Sequence, residues 1–124
     1  MTPLPEWYIV FYTRADRTSP IREFLESLDP KTHGRFVWSI EQLRVRNVQA
    51  REPLVRHLEG KLWELREESQ TNIYRLLYVF IAGRRILFLH GFQKKTQKTP
   101  RREIELAFDR LADFVQRQGG EYEL

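Results

Sequence analysis

The chain contains no cysteine among its 124 residues, which excludes disulfide bonds and thiolate chemistry. It also lacks an apolar run near the roughly 20 residues that span a bilayer, and residues 1–12 lack the pattern of a signal peptide. We therefore expect a soluble, cytoplasmic protein with one domain at residues 1–118 and a flexible tail at 119–124. A hydrophobic content of 41% is typical of a globular chain with a single core.

Two common kinds of ligand site are also missing. There is no glycine-rich phosphate loop of the P-loop or dinucleotide type. No pair of His, Asp or Glu has helical or strand spacing suited to a metal ion, and the three histidines His33, His57 and His90 are isolated. We therefore expect neither a metal nor another cofactor.

Acidic residues are absent from the stretch between Arg84 and Arg102, which holds seven of the 21 Lys and Arg residues of the chain. The stretch passes from an apolar strand pattern through a lysine-rich loop to a proline that opens a helix. The net charge of 21 − 17 = +4 is moderate, so its clustering is more informative than its size. A cationic loop held between a strand and a helix is suited to bind phosphate. The seven cations are Arg84, Arg85, Lys94, Lys95, Lys98, Arg101 and Arg102.

The apolar periodicity predicts an α+β fold of order β-α-α-β-β-β-α, with helices packed on a mostly antiparallel four-stranded sheet. The first strand is apolar throughout, which predicts burial on both faces. Ser19-Pro20 and Thr99-Pro100 predict capped helix starts, and residues 47–59 show no regular pattern. The predicted strands are Trp7–Tyr12, Leu62–Glu67, Ile73–Ile81 and Arg84–Phe92, and the predicted helices are 20–28, 31–47 and 100–118.

Two arginines fall at almost equal distances from the hairpin turn near residues 69–71, so Arg66 and Arg75 are predicted cross-strand neighbours. One interpretation is that Arg75 pairs with Glu64 or Glu67 on the adjoining strand. The other is that Arg66 and Arg75 meet on an open face, where their mutual repulsion is relieved by a bound phosphate. The sequence leaves both open.

An aromatic residue and a histidine lie near the end of the last strand. A lone His90 among apolar residues is more often a structural hydrogen-bonding group than a catalyst. Phe92, next to the lysine-rich loop, either stacks on a base or closes the end of the core. These alternatives also stay open.

Several segments together resemble the RelE/HigB toxins of bacterial toxin–antitoxin systems, in particular their phage-derived HigB-like branch. The segments are LWELR at 62–66, IYRLLYVF at 73–80 and LHGFQKKTQKTPRREIELA at 89–107. The resemblance implies a microbial-ribonuclease-like fold and an endoribonuclease that cleaves mRNA, usually on the ribosome, and so inhibits translation. It also implies a helix-turn-helix antitoxin as partner, operator DNA bound only through the antitoxin complex, and no membrane.

The resemblance places the catalytic arginines at Arg66 and Arg75 and the loop lysines at Lys94 and Lys95. Cleavage without a metal needs a base for the 2′-OH, an acid for the leaving oxygen and cations for the phosphate. Because crowding by cations lowers the pKa of a lysine, Lys94 or Lys95 is a candidate acid or base, with His90 as competitor. Some RelE toxins use a tyrosine near the C-terminus, and here Tyr122, in the tail after two glycines, is a poor substitute for it. The remaining expected RNA-binding residues are Lys61, Arg84, Arg85, Phe92, Lys98, Arg101 and Arg102.

Two other functions use the same basic face. One is a non-catalytic RNA-binding or regulatory module that lacks an efficient proton-transfer pair. The other is a surface whose main task is to dock an acidic segment of the antitoxin.

Overall fold

A computed structural model of the chain describes residues 6–46, 55–94 and 98–118. Within these ranges, none of the helices has both the length and the apolar character needed to cross a membrane. Lys95 and the tail at 119–124 lie outside the described residues. The elements in chain order are β1 (Tyr8–Phe11), α1 (Pro20–Ser27), α2 (Pro30–Arg46), β2 (Val55–Glu59), β3 (Leu62–Ser69), β4 (Asn72–Ile81), β5 (Arg85–Lys94) and α3 (Arg101–Arg117).

The strands form one sheet in the order β1-β5-β4-β3-β2. β1 runs parallel to β5, and the other neighbours are antiparallel. The α+β class is confirmed, whereas the prediction of four strands is wrong because β2 adds a fifth. β2 is short and its pairing with β3 shifts register between His57 and Glu59. A bulge of this kind breaks the alternation by which a strand is recognised in a sequence.

The first strand does not have the covered position that its apolar sequence predicts. β1 is an edge strand, and the Tyr8 side chain is 66% exposed. Aromatic packing accounts for the rest of the run: the ring of Trp7 lies 5.1 Å from that of Phe80, and Phe11 lies 6.0 Å from Phe88. The apolar run therefore predicts correctly that this segment contacts the core, but it does not predict whether the strand is central or at the edge of the sheet.

Of the three helices in the described part of the chain, two start with a side-chain cap. The Ser19 hydroxyl accepts from the Arg22 backbone N–H at 3.3 Å, and Asp29 accepts from the Thr32 N–H at 3.0 Å. The cap predicted at Thr99 is wrong, because α3 follows Pro100 without any side-chain cap. The Thr99 hydroxyl instead turns toward the sheet, where it contacts Glu64.

Helices cover both faces of the central strands. Successive residues of a strand point to opposite faces, and on β4 the Tyr74 ring meets Phe24 of α1 while Arg75 contacts Thr99, just before α3. α1 and α2 therefore lie on one face and α3 on the other. Residues 75–78 of β4 are fully buried as a result.

The ring of Phe24 on α1 packs closely against Gly91 of the sheet, and this contact generates a stability prediction. A Cβ added there would lie 2.7 Å from Cγ of Phe24 and 2.9 Å from Cδ2 of Leu76, so the ring must move. We expect Gly91→Ala to lower the free energy of unfolding by about 1–3 kcal/mol. Urea unfolding measures this.

The matched control is Gly34→Ala in α2, where an added Cβ meets no atom within 4 Å. Alanine favours helix there, so the free energy of unfolding should rise by about 0.5–1 kcal/mol. Equal effects of the two substitutions would contradict the packing described for Gly91.

Candidate functional site

The strand register brings the two predicted arginines together. Arg66 is the partner of Arg75 across the β3–β4 hairpin, and Arg75 is the partner of Phe92 on β5. Lys94 lies two residues beyond Phe92 and therefore on the same face of the sheet. The prediction that Arg66 and Arg75 are cross-strand neighbours is confirmed.

Arg75 does not lie on an open face, and that interpretation is wrong. Its guanidinium is buried and donates from Nη1 to Oε2 of Glu64 at 2.5 Å, with both side chains 1% exposed. Thr99 completes the cluster: its hydroxyl donates to Oε1 of Glu64 at 2.6 Å and lies 3.4 Å from Nη1 of Arg75. The pairing of Arg75 with Glu64, the other interpretation, is the one observed. A buried charge needs such a partner because water cannot reach it.

A groove of about 530 Å³ opens beside this cluster, between β2 and the start of α3. Its lining includes Leu58, Thr99 and Ile104, together with four cations among the residues that the structure describes. One of the four, Arg101, is held by Glu59 through bonds of 2.5 and 2.9 Å. The cations are Arg56, Lys94, Lys98 and Arg101.

Arg56 is a groove residue that the sequence reasoning did not find. It lies opposite Glu64 in the β2–β3 register and its side chain is exposed. Arg56 can be assigned to this face only when β2 is known to be a strand. The side chains of a strand alternate between its two faces, and this alternation directs Arg56 to the face of Glu64.

The pKa of Lys94 is lower than that of an ordinary lysine. Partial burial lowers its pKa below the ordinary lysine value, and the positive charge of Arg75 lowers it further. Glu103, which acts in the opposite direction, and Arg102 are also within electrostatic reach. The direction of the shift is the predicted one, although burial ranks above the crowding by cations on which the prediction rested.

His90 is engaged through both ring nitrogens. Nε2 lies 2.7 Å from Oε2 of Glu103, and Nδ1 lies 3.1 Å from Nη1 of Arg110. A guanidinium only donates, so Nδ1 accepts and the ring proton resides on Nε2, which donates to Glu103. Burial lowers the pKa of His90, and the ring is therefore neutral. Its geometry is that of a structural hydrogen-bonding group that orients Glu103.

Phe92 stacks on that imidazole. The two rings lie 5.2 Å apart with 19° between their planes, and Phe92 is 9% exposed. The ring closes the end of the core, which matches the second of the two interpretations of this residue.

Some of the remaining cations that the sequence predicts as RNA-binding residues do not lie at the groove around Lys94. Arg84 and Arg85 lie at the start of β5, about 30 Å from Lys94 at its end by strand length. Arg85 donates from Nε to the Ala82 carbonyl at 2.8 Å. Arg84 and Arg85 therefore lie far from the loop cations, although they are close to them in the sequence, and their role in RNA binding stays a prediction.

Two further predicted residues are exposed to solvent. Lys61 lies in the turn between β2 and β3, away from the end of β3 that carries Arg66. Arg102, 86% exposed, lies beside Glu103 with Nε 3.8 Å from Oε1. Of the two, only Arg102 adjoins the group around Lys94.

The fold and this site define a small α+β protein with a cationic groove between an edge strand and the N-terminus of a helix. Residues 23–112 match the family described as phage-derived protein Gp49-like (DUF891). The match covers well over half of the chain, and the protein belongs to this family, one of the RelE/HigB-like toxin families. Among the curated proteins, none matches the chain.

The buried ion pair predicts unequal costs for the two arginines. Arg75→Ala leaves the Glu64 carboxylate buried without its cation and should lower the free energy of unfolding by about 3–5 kcal/mol. The partner of Arg66 is Glu68, which is 59% exposed, so Arg66→Ala should change it by less than about 1 kcal/mol. Urea unfolding of both variants decides. A cost for Arg75→Ala no larger than for Arg66→Ala would instead indicate stored repulsion between the two arginines.

The neutral state of His90 predicts that acid destabilises the fold. Because the folded-state pKa lies below the ordinary value, the unfolded chain takes up this proton first as the pH falls through about 6.5. The stability from this group is thus fully present above about pH 6.5, the ordinary pKa of histidine, and is lost as the pH falls below it through the lower pKa of the folded state. Urea unfolding at several pH values measures it.

His90→Gln is the control, since its amide can still donate to Glu103 but does not titrate. We expect a flatter dependence of the free energy of unfolding on pH in this variant. The same pH dependence in both proteins would mean that His90 is not held neutral.

Proposed function

We propose that the protein is a metal-independent endoribonuclease toxin of the HigB-like branch, which cleaves mRNA on the ribosome and inhibits translation. The observation that carries the proposal is the place of Lys94 in the lining of the cationic groove, with a lowered pKa and with the Glu103 carboxylate within electrostatic reach. An acid and a base within electrostatic reach of each other, next to a cationic groove, suit the cleavage of RNA by its own 2′-OH.

Glu103 has the position of the general base. One carboxylate oxygen, Oε2, accepts from His90, and its side chain keeps 17% exposure. Because Arg110 holds the ring proton on Nε2, His90 orients the carboxylate and does not compete with it for the substrate proton. Glu103 takes the proton from the 2′-OH as O2′ attacks phosphorus.

Lys94 has the position of the general acid. As the P–O5′ bond breaks, its ammonium donates a proton to the departing O5′. A lysine with a lowered pKa donates more readily than an ordinary one. The products are a 2′,3′-cyclic phosphate and a 5′-hydroxyl. Arg56, Arg66 and Lys98 bind the phosphates and offset the charge that builds up in the transition state.

A second candidate function is RNA binding without cleavage. Two observations favour it: the charge of Arg75 is neutralised by Glu64, and His90 is engaged through both nitrogens. Under this proposal the groove holds RNA or the ribosome and regulates translation by occupancy.

A helix-turn-helix antitoxin completes the proposal, with operator DNA bound only through the complex. The cations around the groove suit an acidic antitoxin segment, which would block access to Lys94. Toxicity of the chain on expression, relieved by co-expression of the neighbouring gene product, is the expected behaviour.

The proposal is tested with ribosomes translating a defined mRNA, followed by primer extension to map the cuts. We expect Glu103→Gln and Lys94→Met each to reduce the rate of cleavage by about 10²- to 10⁴-fold, the usual contribution of a positioned acid or base. Neither change creates a cavity in the core, so folding should persist.

Arg22→Ala is the matched control, because Arg22 is an exposed cation on α1, on the other face of the sheet. Its rate should equal that of the unsubstituted chain. Ribosome binding with no cut in any protein would support the second candidate function. Cleavage by the Glu103 and Lys94 variants at full rate would contradict the roles given to them.

A further inference from the structure

A second surface of interest lies on α2, on the face of the sheet opposite α3. Trp38 is 61% exposed there, although an indole of this size is normally covered. It borders a hollow of about 450 Å³ that is also lined by Lys31, Gly34, Arg35 and Glu67. None of these residues belongs to the groove around Lys94.

Gly34 explains why the hollow exists. Glycine weakens a helix interior, yet an added Cβ would meet nothing within 4 Å, so packing does not require glycine here. Side chains in a helix lean toward the preceding turn, which directs Trp38 over position 34. No side chain at position 34 occupies the space between the helix and the indole, and the gap from an added Cβ to any atom exceeds 4 Å.

The charges around the hollow favour an anionic, flat ligand. Lys31 and Arg35 flank the indole, and Arg35 is fixed by donating from Nη1 to the Glu68 carbonyl at 2.5 Å. The one carboxylate, Glu67, already accepts a hydrogen bond from the Ser39 hydroxyl. An aromatic face beside cations is the arrangement that binds single-stranded nucleic acid, with bases stacked on the ring and phosphates on the cations.

The hollow reaches β3 next to Arg66, which faces the other side of the sheet. Glu67 lines the hollow, and its neighbour Arg66 points to the face of Arg75. A single strand of RNA that passes around the end of β3 thus meets both surfaces.

We propose that this hollow is a second RNA-binding site, which stacks one base of single-stranded RNA on Trp38 and holds the adjoining phosphate with Lys31 and Arg35. The site binds RNA whether or not the strand is cut, and its ligand is a nucleotide segment outside the cleavage position.

The test uses a 2′-O-methyl RNA oligonucleotide, which has no 2′-OH to attack and stays intact. Its affinity is measured by fluorescence anisotropy, with quenching of tryptophan emission as a second signal. We expect Trp38→Leu and Gly34→Leu each to weaken binding on the order of tenfold, the usual loss of one stacked base. Gly34→Leu covers the indole, keeps both cations and favours the helix.

Val45→Ala is the matched control, since Val45 is exposed on the same helix, about two turns beyond Trp38, and lies outside the hollow. Its affinity should be unchanged. Circular dichroism and the midpoint of urea unfolding verify that each variant is folded.

Wild-type affinity in folded Trp38→Leu and Gly34→Leu would overturn the proposal. So would variants that lose a protein partner but keep the oligonucleotide, because the hollow would then be a protein-docking surface. The cleavage assay is independent: a chain that binds this RNA through Trp38 yet cuts no mRNA keeps the second site and loses the nuclease proposal.

Discussion

The buried ion pair between Glu64 and Arg75 is the constraint on which the basic face depends. It joins two central strands, and Thr99 attaches the segment before α3 to it through the same carboxylate. The start of α3 is thereby fixed over the sheet without a side-chain cap. This attachment brings the first turn of α3, which carries Glu103, within electrostatic reach of Lys94 at the end of β5.

A protein that gathers cations in one place must limit their repulsion. Here a carboxylate accompanies several of them: Glu64 neutralises Arg75, and Glu59 holds Arg101. The lining of the groove still carries more cations than carboxylates, since Arg56, Lys94, Lys98 and Arg101 accompany Glu59 among its described residues. His90 also adds no positive charge to this region, because its neutral ring positions Glu103 through a hydrogen bond.

Much of the fold is predictable because it depends on the pattern of apolar and turn residues within short segments of the sequence. The apolar stripe of α3, the proline helix starts and the two hairpins of β3, β4 and β5 follow from periodicity and turn residues. β2 was missed because a bulged five-residue strand has no clear alternation. The place of β1 at the edge of the sheet depends on tertiary packing, which a run of apolar residues does not specify.

The site was predictable only in part, for a similar reason. Counting residues from the hairpin turn was enough to set Arg66 opposite Arg75. It did not decide whether Arg75 faces solvent, because that depends on α3, which is remote in sequence. The sequence did not indicate Glu103 or Arg110 as site residues, because charged residues on an amphipathic helix normally face solvent. Only the folded structure shows that both residues contact His90, Glu103 at Nε2 and Arg110 at Nδ1.

The central claim is that the chain cuts RNA through attack by the 2′-OH, with its own side chains as base and acid. Mass spectrometry of the fragment ends released from a defined mRNA on the ribosome tests it most directly. The account predicts a 2′,3′-cyclic phosphate, or the 3′-phosphate formed when it opens, upstream of the cut and a 5′-hydroxyl downstream. Fragments that carry a 3′-hydroxyl and a 5′-phosphate would contradict it, because water would then have been the nucleophile.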